Sequence, residues 1–119
     1  MEIMTESKNY QILNEYESVF LKIKSTEKTI LIGDFYGDPE IAMISGDEKC
    51  CVMGGAGIII YYLTEPFEAY KYDAESTQWK EWGRDDPENT QWINNIVFLD
   101  DRHIEVETEN MQKLTLAIY

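Results

Sequence analysis

The sequence predicts a mainly β protein, built as a single domain of antiparallel strands over residues 1–119 and arranged as a sheet or a sandwich. Short β-branched and aromatic runs are separated by clusters of Gly, Pro, Asp and Ser, and the last third alternates between apolar and polar residues. Because 44% of the residues are hydrophobic and 13% are aromatic, the chain can bury a core of its own.

The first elements are predicted from local periodicity. Residues 10–18 are the one candidate for a short N-terminal helix, because Ile12, Leu13 and Tyr16 fall roughly on one side of it. Residues 19–24 alternate with strand period, and a polar turn leads into a returning strand over residues 29–36. The segment Gly37-Asp38-Pro39 ends that strand, because proline has no backbone N–H for a ladder.

The middle of the chain predicts a second hairpin followed by a buried strand. Residues 41–44 and 50–53 are apolar and flank a loop rich in Gly, Asp and Ser, and residues 58–63 form a β-branched and aromatic run. The glycine-rich stretch 54–57 matches neither phosphate-binding fingerprint and opens no helix, so it predicts a tight turn or a β-bulge. Cys50 and Cys51 are adjacent, and neighbours on a strand point to opposite faces, so no disulfide between them is expected.

The C-terminal third predicts a three-stranded meander. Residues 93–99 form its first strand, and apolar residues then alternate with Glu105, Glu107 and Glu109, which indicates a half-buried strand with one acidic face. The last strand is expected to place three apolar side chains in the core. These are Leu114, Leu116 and Ile118. Residues 64–91, which precede the meander, lack clean periodicity and are expected to be largely irregular.

The charge of the chain restricts its partners. Twenty-three acidic residues stand against ten basic ones, which gives a formal net charge of −13. Such a surface repels nucleic-acid phosphates and anionic membranes, and it attracts and steers a basic protein. Residues 1–10 lack a signal-peptide core and the cysteines suggest a reducing compartment, so a cytoplasmic location is expected.

Catalytic and metal-binding patterns are weak. His103 is the only histidine and has no nucleophile signature to support it, so a surface role is expected. Asp34, Asp38, Asp47 and Glu48 could gather around a cation, but their spacing does not match a calcium loop and carboxylates are common in turns. We therefore expect no enzyme activity, no metal and no cofactor.

Several segments of the sequence resemble segments of small bacterial immunity proteins. They are IGDFYGDP at 32–39, GGAGI at 54–58 with the tyrosine-rich strand after it, and the spaced Trp79, Trp82-Gly83-Arg84 and Trp92-Ile93. Such proteins protect bacteria from toxins of polymorphic or contact-dependent growth inhibition systems. The resemblance implies that this chain neutralises a cognate toxin domain by direct binding, and that domain is often a basic nuclease such as an RNase.

The predicted contact surface combines aromatic residues, which are common interaction hot spots, with carboxylates that suit a basic partner. Its residues are Tyr70, Tyr72, Trp79, Trp82, Arg84, Asp85, Asp86, Glu88, Glu105, Glu107 and Glu109. Two other functions stay open at this point. An acidic mimic of nucleic acid would carry carboxylates in two regular rows, and a metal-dependent hydrolase would use Asp34, Asp38 or His103. The oligomeric state is left open.

Overall fold

The computed structural model describes residues 1–84 and 88–119, and this part of the chain contains eleven strands and no helix. The strands are β1 (Glu2–Glu6), β2 (Tyr10–Glu15), β3 (Ser18–Ile23), β4 (Lys28–Asp34), β5 (Ile41–Ile44), β6 (Cys50–Gly55), β7 (Gly57–Tyr62), β8 (Trp79–Trp82), β9 (Ile93–Phe98), β10 (His103–Thr108) and β11 (Lys113–Ala117).

The strands form three antiparallel sheets, each of which follows the order of the chain. The first sheet is β1-β2-β3-β4, the second is β5-β6-β7-β8, and the third is β9-β10-β11. Every neighbouring pair is a simple hairpin or meander connection, except that a long irregular segment joins β7 to β8. The prediction of a mainly β fold of antiparallel strands is confirmed.

The second sheet lies between the other two, so the fold has three layers and two cores. Side chains of β6 and β7 alternate between them: Cys51 and Ile59 enter the core shared with the first sheet, and Val52 and Ile60 enter the core shared with the third. Burial on both faces explains why the sequences of these strands are continuous apolar runs. In a half-exposed strand, apolar residues would alternate with polar ones. The adjacent cysteines lie in different cores and are free, as the strand geometry predicted.

The predicted N-terminal helix is wrong. Residues 10–15 are strand β2, which pairs with β1 on one side and β3 on the other. Ile12 and Leu13 are both buried, and Tyr16 instead occupies the β2–β3 turn with a positive φ of 54°. The local apolar spacing fits a helix turn, but cross-strand pairing with two neighbours satisfies the backbone and overrides it.

The C-terminal meander is confirmed, with one correction to its apolar face. Ile118 is 1% exposed and Leu116 is partly buried in the second core, whereas Leu114 is 37% exposed. Leu114 faces the same side as Val106, its partner in the register. Because β11 is the edge strand of the third sheet, its outer end is only partly covered.

The glycine-rich stretch is a tight turn, as predicted. Gly55 pairs with Gly57 in the β6–β7 ladder, so Ala56 alone links the two strands. Gly57 has a φ of +87°, which is a region that favours glycine. Gly54 allows the third sheet to approach closely, because a Cβ there would lie 3.0 Å from side-chain atoms of Ile93 and Ile96.

Candidate functional site

Five connections meet at one end of the sandwich: the β2–β3 turn, the segment after β4, the β6–β7 turn, the loop after β8 and the β10–β11 turn. Backbone hydrogen bonds join them. The Phe35 N–H donates to the Glu17 carbonyl at 2.9 Å, and the Gly57 N–H donates to the Gln91 carbonyl at 2.7 Å. The Glu109 N–H donates to the Trp92 carbonyl at 2.9 Å, which places the start of the β10–β11 turn beside the same loop.

This end exposes an unusual number of large apolar side chains. Tyr36 is 75% exposed, and Tyr16, Trp92 and Met111 are also exposed there. The irregular segment between β7 and β8 reaches the same end through Tyr72, which is 67% exposed. Carboxylates from the same connections stand among them. We call this surface the aromatic end and define it by Tyr16, Glu17, Asp34, Tyr36, Tyr72, Trp92, Glu109 and Met111.

A cleft of about 380 Å³ opens at the aromatic end. Its lining includes Tyr36, Tyr72, Trp92, Glu17, Asp34, Phe35, Ala56, Arg84 and Thr90. The rings of Tyr36 and Trp92 meet at 63° with their centroids 6.5 Å apart, so they do not stack flat on each other. The Gly37 N–H donates to a Glu17 carboxylate oxygen at 2.6 Å, and this bond fixes one wall of the cleft.

Arg84 forms the inner wall of the cleft and joins several elements. Its side chain is only 10% exposed. The guanidinium donates to the Asp34 carbonyl at 2.6 Å and to the Ala56 carbonyl at 2.9 Å, and its Nε donates to the Glu81 carboxylate at 2.9 Å. It also lies over the Phe35 ring, with 4.7 Å from Cζ to the ring centroid. Arg84 therefore connects the end of β4 and the β6–β7 turn to β8.

Hydrogen bonds from Tyr70 to Glu81 and from Arg84 to Glu81 hold the Arg84 side chain in place. The Tyr70 hydroxyl donates to the Glu81 carboxylate oxygen at 2.6 Å, and this is the same oxygen that accepts from Arg84. Burial is the main cause that raises the pKa of Tyr70 well above its usual range, and the neighbouring Glu81 carboxylate adds to the effect. The phenol stays protonated and keeps donating at neutral pH, so Glu81 remains fixed for Arg84.

Comparisons with protein-family models, curated proteins and solved structures find no match for this chain. Among residues 1–84 and 88–119, no group of three or more His, Cys, Asp or Glu side chains is placed to hold a metal ion. The same residues include no helix long and apolar enough to cross a membrane.

The structure separates the predicted contact residues of the loop region into three groups. Tyr72 and Glu88 are exposed, and Trp82 and Arg84 are partly buried. Tyr72, Trp82 and Arg84 line a second small cavity of about 220 Å³ that adjoins the cleft. A second group lies in the first core. It comprises Tyr70 and Trp79, whose ring centroids are 5.1 Å apart and which support the surface from within. Asp85 and Asp86 lie outside the described residues.

The predicted acidic face of β10 is present on the outer side of the third sheet. Glu105 and Glu107 are partly exposed and alternate with buried apolar residues. Their cross-strand partners are Val97 and Thr115 for Glu105, and Asn95 and Lys113 for Glu107. Glu109 follows the strand and reaches the aromatic end.

Residues suggested for a hydrolytic site lie at opposite ends of the sandwich. Asp34 belongs to the aromatic end, whereas His103 begins β10 at the other end, opposite Ala117. The His103 Nδ1 lies 3.0 Å from the Asp100 carboxylate in the β9–β10 turn. The topology therefore does not bring Asp34 and His103 into one site.

Six residues of the aromatic end were absent from the predicted contact surface, namely Tyr16, Glu17, Asp34, Tyr36, Trp92 and Met111. Asp34 is the last residue of β4, and the other five lie in turns or irregular segments, where strand periodicity requires no tyrosine or tryptophan. The sequence did offer one indication of an exposed site, namely aromatic residues within segments whose composition predicts a turn. Their convergence was not predictable, because they lie in connections far apart in the chain.

Proposed function

We propose that this chain is an immunity protein that binds a cognate basic toxin domain in the cytoplasm and neutralises it. The observation that carries the proposal is the aromatic end, where exposed aromatic rings and carboxylates from distant connections share one surface. Exposed apolar patches on small proteins mark interaction sites, and aromatic residues are the usual hot spots of such sites. The resemblance of the sequence to immunity proteins supports the toxin as the partner.

The charge of the chain suits a partner of this kind. A formal charge of −13 creates a negative field that accelerates encounter with a cationic nuclease. The carboxylates of the aromatic end would then occupy positions on the nuclease that otherwise hold phosphates of RNA. Burial of the aromatic rings would slow dissociation, because anchors in desolvated pockets act mainly on the lifetime of a complex.

The arrangement of the carboxylates favours a specific interface over mimicry of nucleic acid. On the outer face of the third sheet, Glu105 and Glu107 form one short row on β10. The strands on either side present Asn95 and Val97, and Lys113 and Thr115, at the paired positions. A mimic requires two regular rows of negative charge, and this sheet provides one.

A growth assay tests the proposal. The C-terminal domain of the protein encoded immediately upstream would be expressed in bacteria with and without this chain. We expect the domain alone to stop growth and co-expression to restore it. The variant Tyr72→Ala combined with Trp92→Ala should lose protection, whereas His103→Ala at the opposite end should keep it. Failure of the wild-type chain to restore growth, or loss of protection by His103→Ala with the protein still folded, would contradict the proposal.

A further inference from the structure

We infer that the 380 Å³ cleft at the aromatic end receives an arginine side chain of the partner. This inference rests on the proposed function and specifies the chemistry of its contact. The cleft has two features that point to a cation, namely aromatic walls and carboxylates at the rim. A planar cation over aromatic faces is attracted by the ring quadrupoles, and the attraction grows when the site excludes water.

The aromatic walls leave ring surface available to a guest. Tyr36 and Tyr72 are largely exposed, and Trp92 is partly exposed. Because Tyr36 and Trp92 meet at 63°, the ring that presents its edge keeps both faces free of the other ring. A planar guanidinium can stack on such a face, whereas an ammonium offers no plane to stack.

The carboxylates decide the charge of the guest. Glu17 and Asp34 both line the cleft, and Asp34 is exposed in the free protein. A neutral or apolar guest that covered them would remove two charges from water without pairing them, which is costly. A guanidinium pairs with carboxylates through directed, charge-assisted hydrogen bonds.

Arg84 does not reverse this preference, although it lines the same cleft. Its charge is paired with Glu81 at 2.9 Å, and its guanidinium also donates to the carbonyls of Asp34 and Ala56. Among the described residues of the lining, the two carboxylates therefore outnumber the one guanidinium. Arg84 also provides an example of a guanidinium stacked on an aromatic ring in this site, because its Cζ lies 4.7 Å from the centroid of the Phe35 ring.

Short peptides test the inference without the toxin. The tripeptide acetyl-Gly-Arg-Gly-amide would be titrated into the full chain while the indole N–H resonance of Trp92, assigned with Trp92→Phe, is followed by NMR. We expect a saturable shift with a dissociation constant on the order of 1 mM, as for a single side chain. The same peptide with citrulline, a neutral isostere of arginine, should bind at least about tenfold more weakly.

Matched variants locate the binding. Asp34→Asn and Glu17→Gln should each weaken binding of the arginine peptide at least about threefold. Glu27→Gln removes the same charge in the β3–β4 turn at the other end of the sandwich and should leave that binding unchanged. Equal binding of the citrulline peptide, equal binding of a lysine peptide, or equal weakening by Glu27→Gln would overturn the inference. If the arginine peptide does not bind but the chain still protects bacteria in the growth assay, only the assignment of arginine is wrong. If the peptide binds but the chain gives no protection, only the proposed toxin-neutralising function is wrong.

Discussion

At the scale of single residues, the aromatic end depends on Arg84 and on the glycine that makes room for it. A Cβ on Gly57 would lie 2.0 Å from the Arg84 Cγ, and the φ of Gly57 is +87°. No side chain fits without displacing Arg84 or changing the turn. The cleft therefore depends on a glycine that is not among its lining residues.

We expect Gly57→Ala to lower the free energy of unfolding by about 3 kcal/mol, because it combines a left-handed backbone with overpacking against Arg84. Gly46→Ala is the matched control, since a Cβ at Gly46 meets nothing within 4 Å. Urea unfolding of both variants provides the measurement. A loss of less than about 1 kcal/mol in Gly57→Ala would show that the turn adapts.

Buried phenols give the protein a predictable response to alkali. Desolvation is the main cause that raises the pKa of Tyr61 and Tyr70 above the usual range, and it also raises that of the Cys51 thiol. A group whose folded pKa is raised keeps its full contribution below the unfolded pKa and loses it as the pH rises. The unfolded values are about 8.5 for cysteine and about 10 for tyrosine.

The free energy of unfolding should therefore fall as the pH rises above about 9, first through thiols and then through phenols. Tyr70→Phe removes one of these titrating phenols. Above about pH 10, the free energy of unfolding of this variant should therefore fall less steeply than that of the wild type, by up to about 1.4 kcal/mol per pH unit. Urea unfolding between pH 8 and 11 measures both slopes. Identical slopes for the wild type and Tyr70→Phe would show that Tyr70 titrates normally in the folded state.

At the scale of elements, the edge position of β11 leaves the apolar residues of this strand less buried than Ile118, which follows it. Ile118 is fully buried, its N–H donates to the Arg102 carbonyl at 2.7 Å, and its carbonyl accepts from the Tyr62 hydroxyl. Leu114 lies on the same side of the sheet but is partly exposed. The C-terminal segment is attached to the second core mainly through Leu116 and Ile118.

We expect Ile118→Ala to lower the free energy of unfolding by about 3 kcal/mol and Leu114→Ala by less than about 1 kcal/mol, because only the first creates a cavity in a closed core. Deletion of residues 114–119 removes the strand and should abolish cooperative unfolding. Thermal and urea unfolding test both statements. Equal losses at the two positions, or a truncated chain that melts like the full one, would contradict this account of β11.

At the scale of the whole molecule, the negative charges are distributed over both ends of the sandwich. Asp38, Asp73 and Glu109 belong to the connections at or beside the aromatic end. Glu27 lies in the β3–β4 turn at the other end, where Glu65 and Asp101 line an open cleft of about 1070 Å³. Three carboxylates at or beside the aromatic end, and three at the other end, can therefore be replaced by amides in two separate variants. Both variants change the net charge by the same amount.

The set Asp38→Asn, Asp73→Asn and Glu109→Gln should slow association with the toxin domain about tenfold at low salt. The set Glu27→Gln, Glu65→Gln and Asp101→Asn should slow it less than about twofold, because those charges lie far from the contact. At roughly 1 M salt, where the Debye length is about 3 Å, most of the difference should disappear. Stopped-flow rates decide, and equal slowing by the two sets would mean that the partner binds elsewhere.

Most of the strand order was predictable from the sequence, because alternation and turn residues act over a few positions. The meander, the hairpins and the opposite orientation of Cys50 and Cys51 followed from period-two geometry. Strand β1 was not predicted, since its sequence EIMTE carries no clear alternation. The helix expected over residues 10–18 failed because pairing with two neighbouring strands outweighed a local pattern.

The β class, the turns and the acidic net charge followed from the sequence alone, since each depends on composition or on neighbours along the chain. Which side chains reach the surface depended on the tertiary structure. Tyr70 and Trp79 lie in the first core, and Tyr36 and Trp92 share a cleft instead. Layer packing and the convergence of five distant connections set these positions, and neither is encoded in the spacing of adjacent residues.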